Sequence, residues 1–163
     1  MYRKTTMARS PSTSSQQKYI ISMIKEWSDR LKLAEWKITC EFVSDKNDFT
    51  DDNGDRIGLG RMRSYWLKDK ERKACDYSVI LQFREYYEKE DWNTWYSSLN
   101  EMIELTVIHE LIHIKMSRYE GVINAHTEGF SDLVGSGWGL QEQEWLVDNL
   151  ARTMYDLKYG TTK

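Results

Sequence analysis

Proline is almost missing from this 163-residue chain, with Pro11 its only example, and cysteine is nearly as scarce, with Cys40 and Cys75 alone. A single proline leaves no proline-rich spacer and no collagen-like repeat. Two cysteines cannot build the disulfide framework of a small secreted scaffold, and their setting points to a reducing compartment. No apolar run approaches the roughly 18 residues of a membrane-spanning helix. The N-terminus also lacks the apolar stretch of a secretory leader. Neither sign of charge dominates: 23 Lys and Arg stand against 26 Asp and Glu, a formal net charge of −3. That balance gives no general electrostatic reason to expect nucleic-acid binding. What is present is ordinary globular material, 40% hydrophobic and 30% charged. The length suits about one domain, able to bury roughly 70% of its unfolded surface. The expectation is a cytoplasmic protein with no membrane association, with seven Trp and ten Tyr as large packing residues.

Residues 1–17 read as a polar tail, basic and holding the lone proline, too poor in apolar side chains to anchor a core. The remainder, 18–163, reads as one domain. A helix is expected from Ser14 or Ser15, either of which can cap it, with Ile20, Ile24, Trp27 and Leu31 on one face. Over 36–43, Trp36, Ile38, Cys40 and Phe42 alternate with polar residues, as in a half-buried strand. Cys40 then belongs to the inward set as a small core residue. The acidic tip 51–55 fails as a calcium loop, because Phe49 and Gly60 fall where the first and last carboxylate ligands belong. Strands are expected over 57–67 and 75–83, joined by the charged stretch 68–73. In the first of them, Gly58 and Gly60 suggest a bulge or a close backbone approach. A long helix is expected over about 92–119 with Met102, Leu105, Ile108, Ile112 and Met116 as its apolar stripe and Gly121 as its stop. A short helix over 125–134, a glycine-rich turn at 135–139 and a last helix over 141–159 complete the order. The class is α+β: an N-terminal helix, a small antiparallel or mixed sheet of about three strands, the long helix and a C-terminal helix.

The chemistry concentrates in His109-Glu110-Leu111-Ile112-His113, an H-E-x-x-H on the long helix. Side chains four apart share a helix face, so both imidazoles reach one ion. Glu110, turned by roughly 100°, faces the water such an ion holds and can serve as general base and then acid. Random placement of three His and fourteen Glu produces the pattern only about three times in a thousand. The apolar flanks bury the helix, and buried imidazoles require partners.

Two ligands fall short of the usual three protein groups plus water. Glu144 is the preferred third, because Leu140, Glu144, Val147, Ala151 and Met154 share a helical face that sets a carboxylate in an apolar stripe. Asp148, one turn on, can accept the free ring N–H of a ligand histidine. His126, thirteen residues after His113, is the alternative third ligand. Imidazole plus carboxylate suits zinc.

The His109–His113 motif, with a sheet before it and a helix after it, resembles the zincin metallopeptidases. Glu144-x-x-x-Asp148 is similar to the ligand helix of the gluzincin branch, and the short length resembles the minigluzincin type found in phage and prokaryotic genomes. That resemblance implies a zincin-like fold, zinc held by His109, His113 and Glu144, Asp148 orienting a ligand histidine, and Glu110 as general base in hydrolysis of peptide or protein substrates. It further implies an edge strand that takes up the substrate, with 57–67 and 75–83 as candidates, and an oxyanion-stabilising group, with Tyr119, Tyr155 and Arg152 as candidates. A second resemblance is to the SprT-like metallopeptidases, in which His126 would be the third ligand, with Phe130 following, and DNA-associated proteolysis the role. Thr127 stands where a glycine is typical there, and no cysteine-rich zinc module follows. A non-catalytic zinc-binding phage or structural protein is the remaining alternative, and Glu110 speaks against it, since a purely structural site needs no base.

Overall fold

The computed structural model describes residues 14–44, 49, 58–64, 78–126 and 138–160, with side chains at all of these except 117–126 and 138–142. The calls on 1–13, 51–55, 68–73, Cys75 and 127–137 lie outside the described residues. Helix α1 covers Ser15–Arg30, strand β1 Lys37–Val43, β2 Gly60–Ser64, β3 Ser78–Arg84, helix α2 Leu99–His126 and α3 Trp138–Tyr159. This is an α+β arrangement of three helices and a three-stranded mixed sheet.

The start of α1 is set by a capping box. The Ser14 hydroxyl accepts from the Gln17 N–H, and the Gln17 side chain accepts from the Ser14 N–H. Ser15, Gln16 and Gln17 therefore belong to the helix, which moves the end of the expected tail back from residue 17. At the other end Lys32 takes a left-handed conformation (φ 55°), and Leu33 N–H reaches back to the Ser28 carbonyl, 2.9 Å away. This is a Schellman closure with lysine where glycine is usual. Between the caps Ile20, Met23, Ile24 and Trp27 are buried.

The sheet order is β1-β3-β2, with β1 parallel and β2 antiparallel to β3. Register puts Ile38 opposite Val79, Cys40 opposite Leu81 and Phe42 opposite Phe83, while Met62 and Gly60 meet Leu81 and Phe83 from the other side. Each alternating apolar set thus lies on one face. Strand β3 is the middle strand, so among the described residues only β2 of the two candidate edge strands lies at an edge; 75–83 is corrected to a central strand. Gly60 is a point of close approach. A Cβ there would stand 2.9 Å from Thr106 Cγ2 and 3.1 Å from the Phe83 ring, so the missing side chain lets β2 lie directly on α2.

Helix α2 runs through the centre, with α1, α3 and β2 in contact with it. Met102, Val107, Ile108, Leu111 and Ile114 are fully buried, and Ile103, Leu105 and Ile112 nearly so. The expected stripe is therefore only part of its apolar surface, because the helix has neighbours on more than one side. Within the stretch expected to contain it, the helix begins at Leu99. Ser98 Oγ accepts from the Glu101 N–H, and the Glu101 carboxylate accepts from the Ser97 N–H at 2.7 Å. It also continues through Gly121, the expected stop, to His126, since one glycine inside a helix costs only about 1 kcal/mol. The last helix starts at Trp138, three residues before the expected start.

Candidate metal centre

One turn of α2 presents His109 and His113 edge to face, ring centroids 4.7 Å apart. Their Nε2 atoms are 3.0 Å apart. From α3, Glu144 Oε2 lies 3.2 Å from His109 Nε2 and Oε1 lies 3.2 Å from His113 Nε2. On the far side of the His109 ring, Nδ1 is 2.8 Å from Asp148 Oδ1. A carboxylate only accepts, so Nδ1 carries a proton toward Asp148, and Nε2 is the atom that faces His113 and Glu144, able to bind a cation once its own proton is displaced.

The donor set fits a divalent cation. Four ligands about 2.05 Å from zinc in a tetrahedron lie about 3.3 Å from one another. Here the two Nε2 atoms are 3.0 Å apart and each lies 3.2 Å from a different Glu144 oxygen, spacings close to the edges of that figure, with the cleft open beside them. Two imidazole nitrogens at 3.0 Å also repel unless a proton or a cation lies between them. The electrostatics agree. Burial opposes charge on His109, but the Glu144 hydrogen bond and the nearby Glu110 and Asp148 outweigh it and lift its pKa to about 9. Glu144, hydrogen-bonded by both rings, is held far below the usual carboxylate range. The cluster attracts positive charge strongly, and a bound cation would take the place of the His109 proton.

Glu110 stands next to this cluster but is not part of it. It is buried, and burial pushes its pKa up against the pull of His109 and His113. The nearby Met62 backbone of β2 also pulls it down. A carboxyl group raised by burial and held at the edge of a cation site has the properties of a general base.

All of these groups line a cleft of about 1040 Å³ between β2 and α3, floored by Leu105 and Thr106 of α2. Its β2 wall is held from behind. Arg84 donates to the Gly58 carbonyl at 3.0 Å, and the Tyr87 hydroxyl donates to the Leu59 carbonyl. Arg84 is itself paired with Asp91 at 2.8 Å.

The structure thus brings together His109, His113, Glu144 and Asp148, with Glu110 beside them. Glu144 is more than half exposed. The expectation that burial cost would demand a cation there is corrected: it sits at the open end of the α3 seam, where the cleft begins. His126 ends α2, thirteen residues and about 20 Å of helical rise beyond His113, so its backbone is remote from the cluster. Of the oxyanion candidates, Arg152 lines the cleft, Tyr155 is half-buried with the Arg152 guanidinium over its ring, and the Tyr119 side chain lies outside the described residues. Sequence reasoning missed Tyr96, a half-buried cleft residue whose phenol burial and the Asp148 charge keep protonated and able to donate. It also missed Arg84, Tyr87, Glu101 and Glu104. The Ser98-x-x-Glu101 spacing could have revealed Glu101 as a capping residue; the others carry no local signal. Among known proteins, the chain matches no family model, no curated protein and no solved structure.

Proposed function

We propose that this chain is a zinc-dependent metallopeptidase of zincin type, gluzincin-like in its third ligand, that hydrolyses peptide bonds. The observation that carries this reading is the convergence of His109 Nε2 and His113 Nε2, 3.0 Å apart, on the Glu144 carboxylate, one oxygen 3.2 Å from each, with the buried Glu110 carboxyl at the margin. Zinc is the ion that two imidazoles and one carboxylate beside an open cleft suit best. When bound, it supplies a Lewis acid and lowers the pKa of a coordinated water towards 7.

The chain's own groups divide the remaining work. Asp148 fixes the tautomer and tilt of His109 through Nδ1. Glu110 takes the proton from the attacking water and returns it to the departing amine; its raised pKa suits both transfers near neutral pH. Among the described residues, strand β2 lies at the sheet edge beside the cleft. The Met62 backbone sits beside Glu110, and the backbone groups of β2 that face away from β3 can pair there with an extended peptide. Gly60 and the Arg84–Tyr87 clamp keep that edge close to α2.

Replacing Glu110 by Gln tests the reading. The variant should bind one zinc as the parent does and lose cleavage of an unstructured protein substrate by about 10²–10⁴-fold. Equal cleavage by parent and variant would refute the base assignment. A parent that binds zinc and cleaves nothing would favour a non-catalytic zinc protein.

A further inference from the structure

Among the described residues, the side of α3 that faces the core buries few large apolar groups fully; Met154 and Tyr155 pack there but stay partly exposed. Val147 and Ala151 are its buried hydrophobic residues, whereas Trp145, Leu146, Leu150 and Leu157 point outward, each 40–68% exposed. Burial alone would turn the helix the other way, with the leucines inward. What the described contacts offer instead is charge. On α2, Glu101 and Glu104 are buried, at 8% and 1% exposure. Glu101 is met by Arg152 of α3, and its other oxygen is held by Ser97. Glu104 accepts from Lys158 at 2.6 Å and from the Tyr159 hydroxyl at 2.7 Å, both of α3, and from Trp27 Nε1 of α1 at 2.8 Å. Lys158 also reaches Glu26 of α1, 3.0 Å away.

We infer that Glu101 and Glu104 are positioning residues that set the rotation and register of α3, and through it the placement of Glu144 and Asp148 over the two histidines. A buried carboxylate tolerates only the arrangement that brings it its cation, so a rotated or shifted α3 would leave both acids unpaired. Arg152 is two turns beyond Glu144 on the same helix, so a slip at the Arg152–Glu101 contact moves the carboxylate ligand with it. This inference rests on the metal-binding part of the function proposed above, but the docking it describes does not need the ion.

The test uses the full chain with Co²⁺ as probe, in the parent, Arg152→Met and Arg152→Lys. Co²⁺ affinity and the visible absorption of the bound ion report ligand placement, and amide hydrogen exchange of the cation-free protein reports docking. In Arg152→Met, Co²⁺ affinity should fall at least about tenfold, the absorption bands should change, and α3 amides should exchange faster while α1 amides do not. Arg152→Lys, which keeps a cation, should stay within about threefold of the parent affinity. Arg152→Met with the parent's affinity and spectrum would overturn the inference. So would unchanged α3 exchange, even if the parent bound no Co²⁺, a result that would separately refute the metal site. Should Arg152→Met loosen the whole chain, the lysine variant decides: failure of that cation to support Co²⁺ binding overturns the proposal.

Discussion

Helices α1 and α3 both pack against α2, α1 with Ile20, Met23, Ile24 and Trp27 buried, α3 with Val147 and Ala151 buried, Met154 and Tyr155 partly buried, and Trp145, Leu146, Leu150 and Leu157 outside. The first contact is made mainly by the hydrophobic effect, which is strong but indifferent to small shifts. The second is made by ion pairs and hydrogen bonds, which add little net stability but are exacting in geometry. The division follows the site. The scaffold that carries His109 and His113 needs rigidity, whereas the helix that brings Glu144 needs to be placed within a fraction of an ångström.

The largest effect should come from the α1 side. Trp27→Ala should cost about 3–5 kcal/mol in denaturant unfolding, because it opens the core and removes one donor from the buried Glu104. Val147→Ala, in the α3 seam, removes two methyl groups and should cost about 2 kcal/mol. Similar losses from the two would erase the distinction between the helices.

Much of this contrast could be read in the chain before its structure, and the unread part is non-local. The four- and three-residue steps of Ile20, Ile24 and Trp27 marked the buried side of α1, and the alternation of Ile38, Cys40 and Phe42 marked the inward face of β1. The spacing of His109, His113, Glu144 and Asp148 put four partners on two helix faces that do meet. Periodicity is blind to pairing order, so β3 was a candidate edge although it lies between β1 and β2. Local stop signals misled at Gly121, where the chain continues as helix. The docking role of Glu101 and Glu104 has no local signal, because their α3 partners lie 51 to 55 residues away. The same holds for Tyr87 and Arg84, whose contacts with Leu59 and Gly58 are made across the fold.

An intermediate effect is expected where the β2 wall meets α2. Gly60→Ala drives a methyl group into Thr106 and Phe83 and should cost about 1–3 kcal/mol. It should also weaken cleavage more than zinc binding, because it separates Met62 from Glu110 while leaving the ligand cluster on α2 and α3 intact. A parallel loss of both would mean that the β2 wall and the ligand helix are one unit.

The smallest effect belongs to Cys40, on the sheet's inward face. Burial, with the Glu41 charge adding to it, pushes its thiol up to about 12. A folded value above the unfolded one, about 8.5, contributes stability that is complete below pH 8.5 and is lost as pH rises toward 12. In a Cys75→Ser background at pH 8.5, alkylation of Cys40 in the folded chain should be at least about a hundredfold slower than in the unfolded chain. Equal rates would place Cys40 outside the burial-held half.

The most direct measurement is zinc stoichiometry after equilibrium dialysis, in the parent and in His109→Ala, Glu144→Ala and Glu110→Gln. The account predicts one zinc per chain in the parent and in Glu110→Gln, and almost none in the other two. A parent without zinc, or a Glu144→Ala variant that holds it as tightly as the parent, would contradict it.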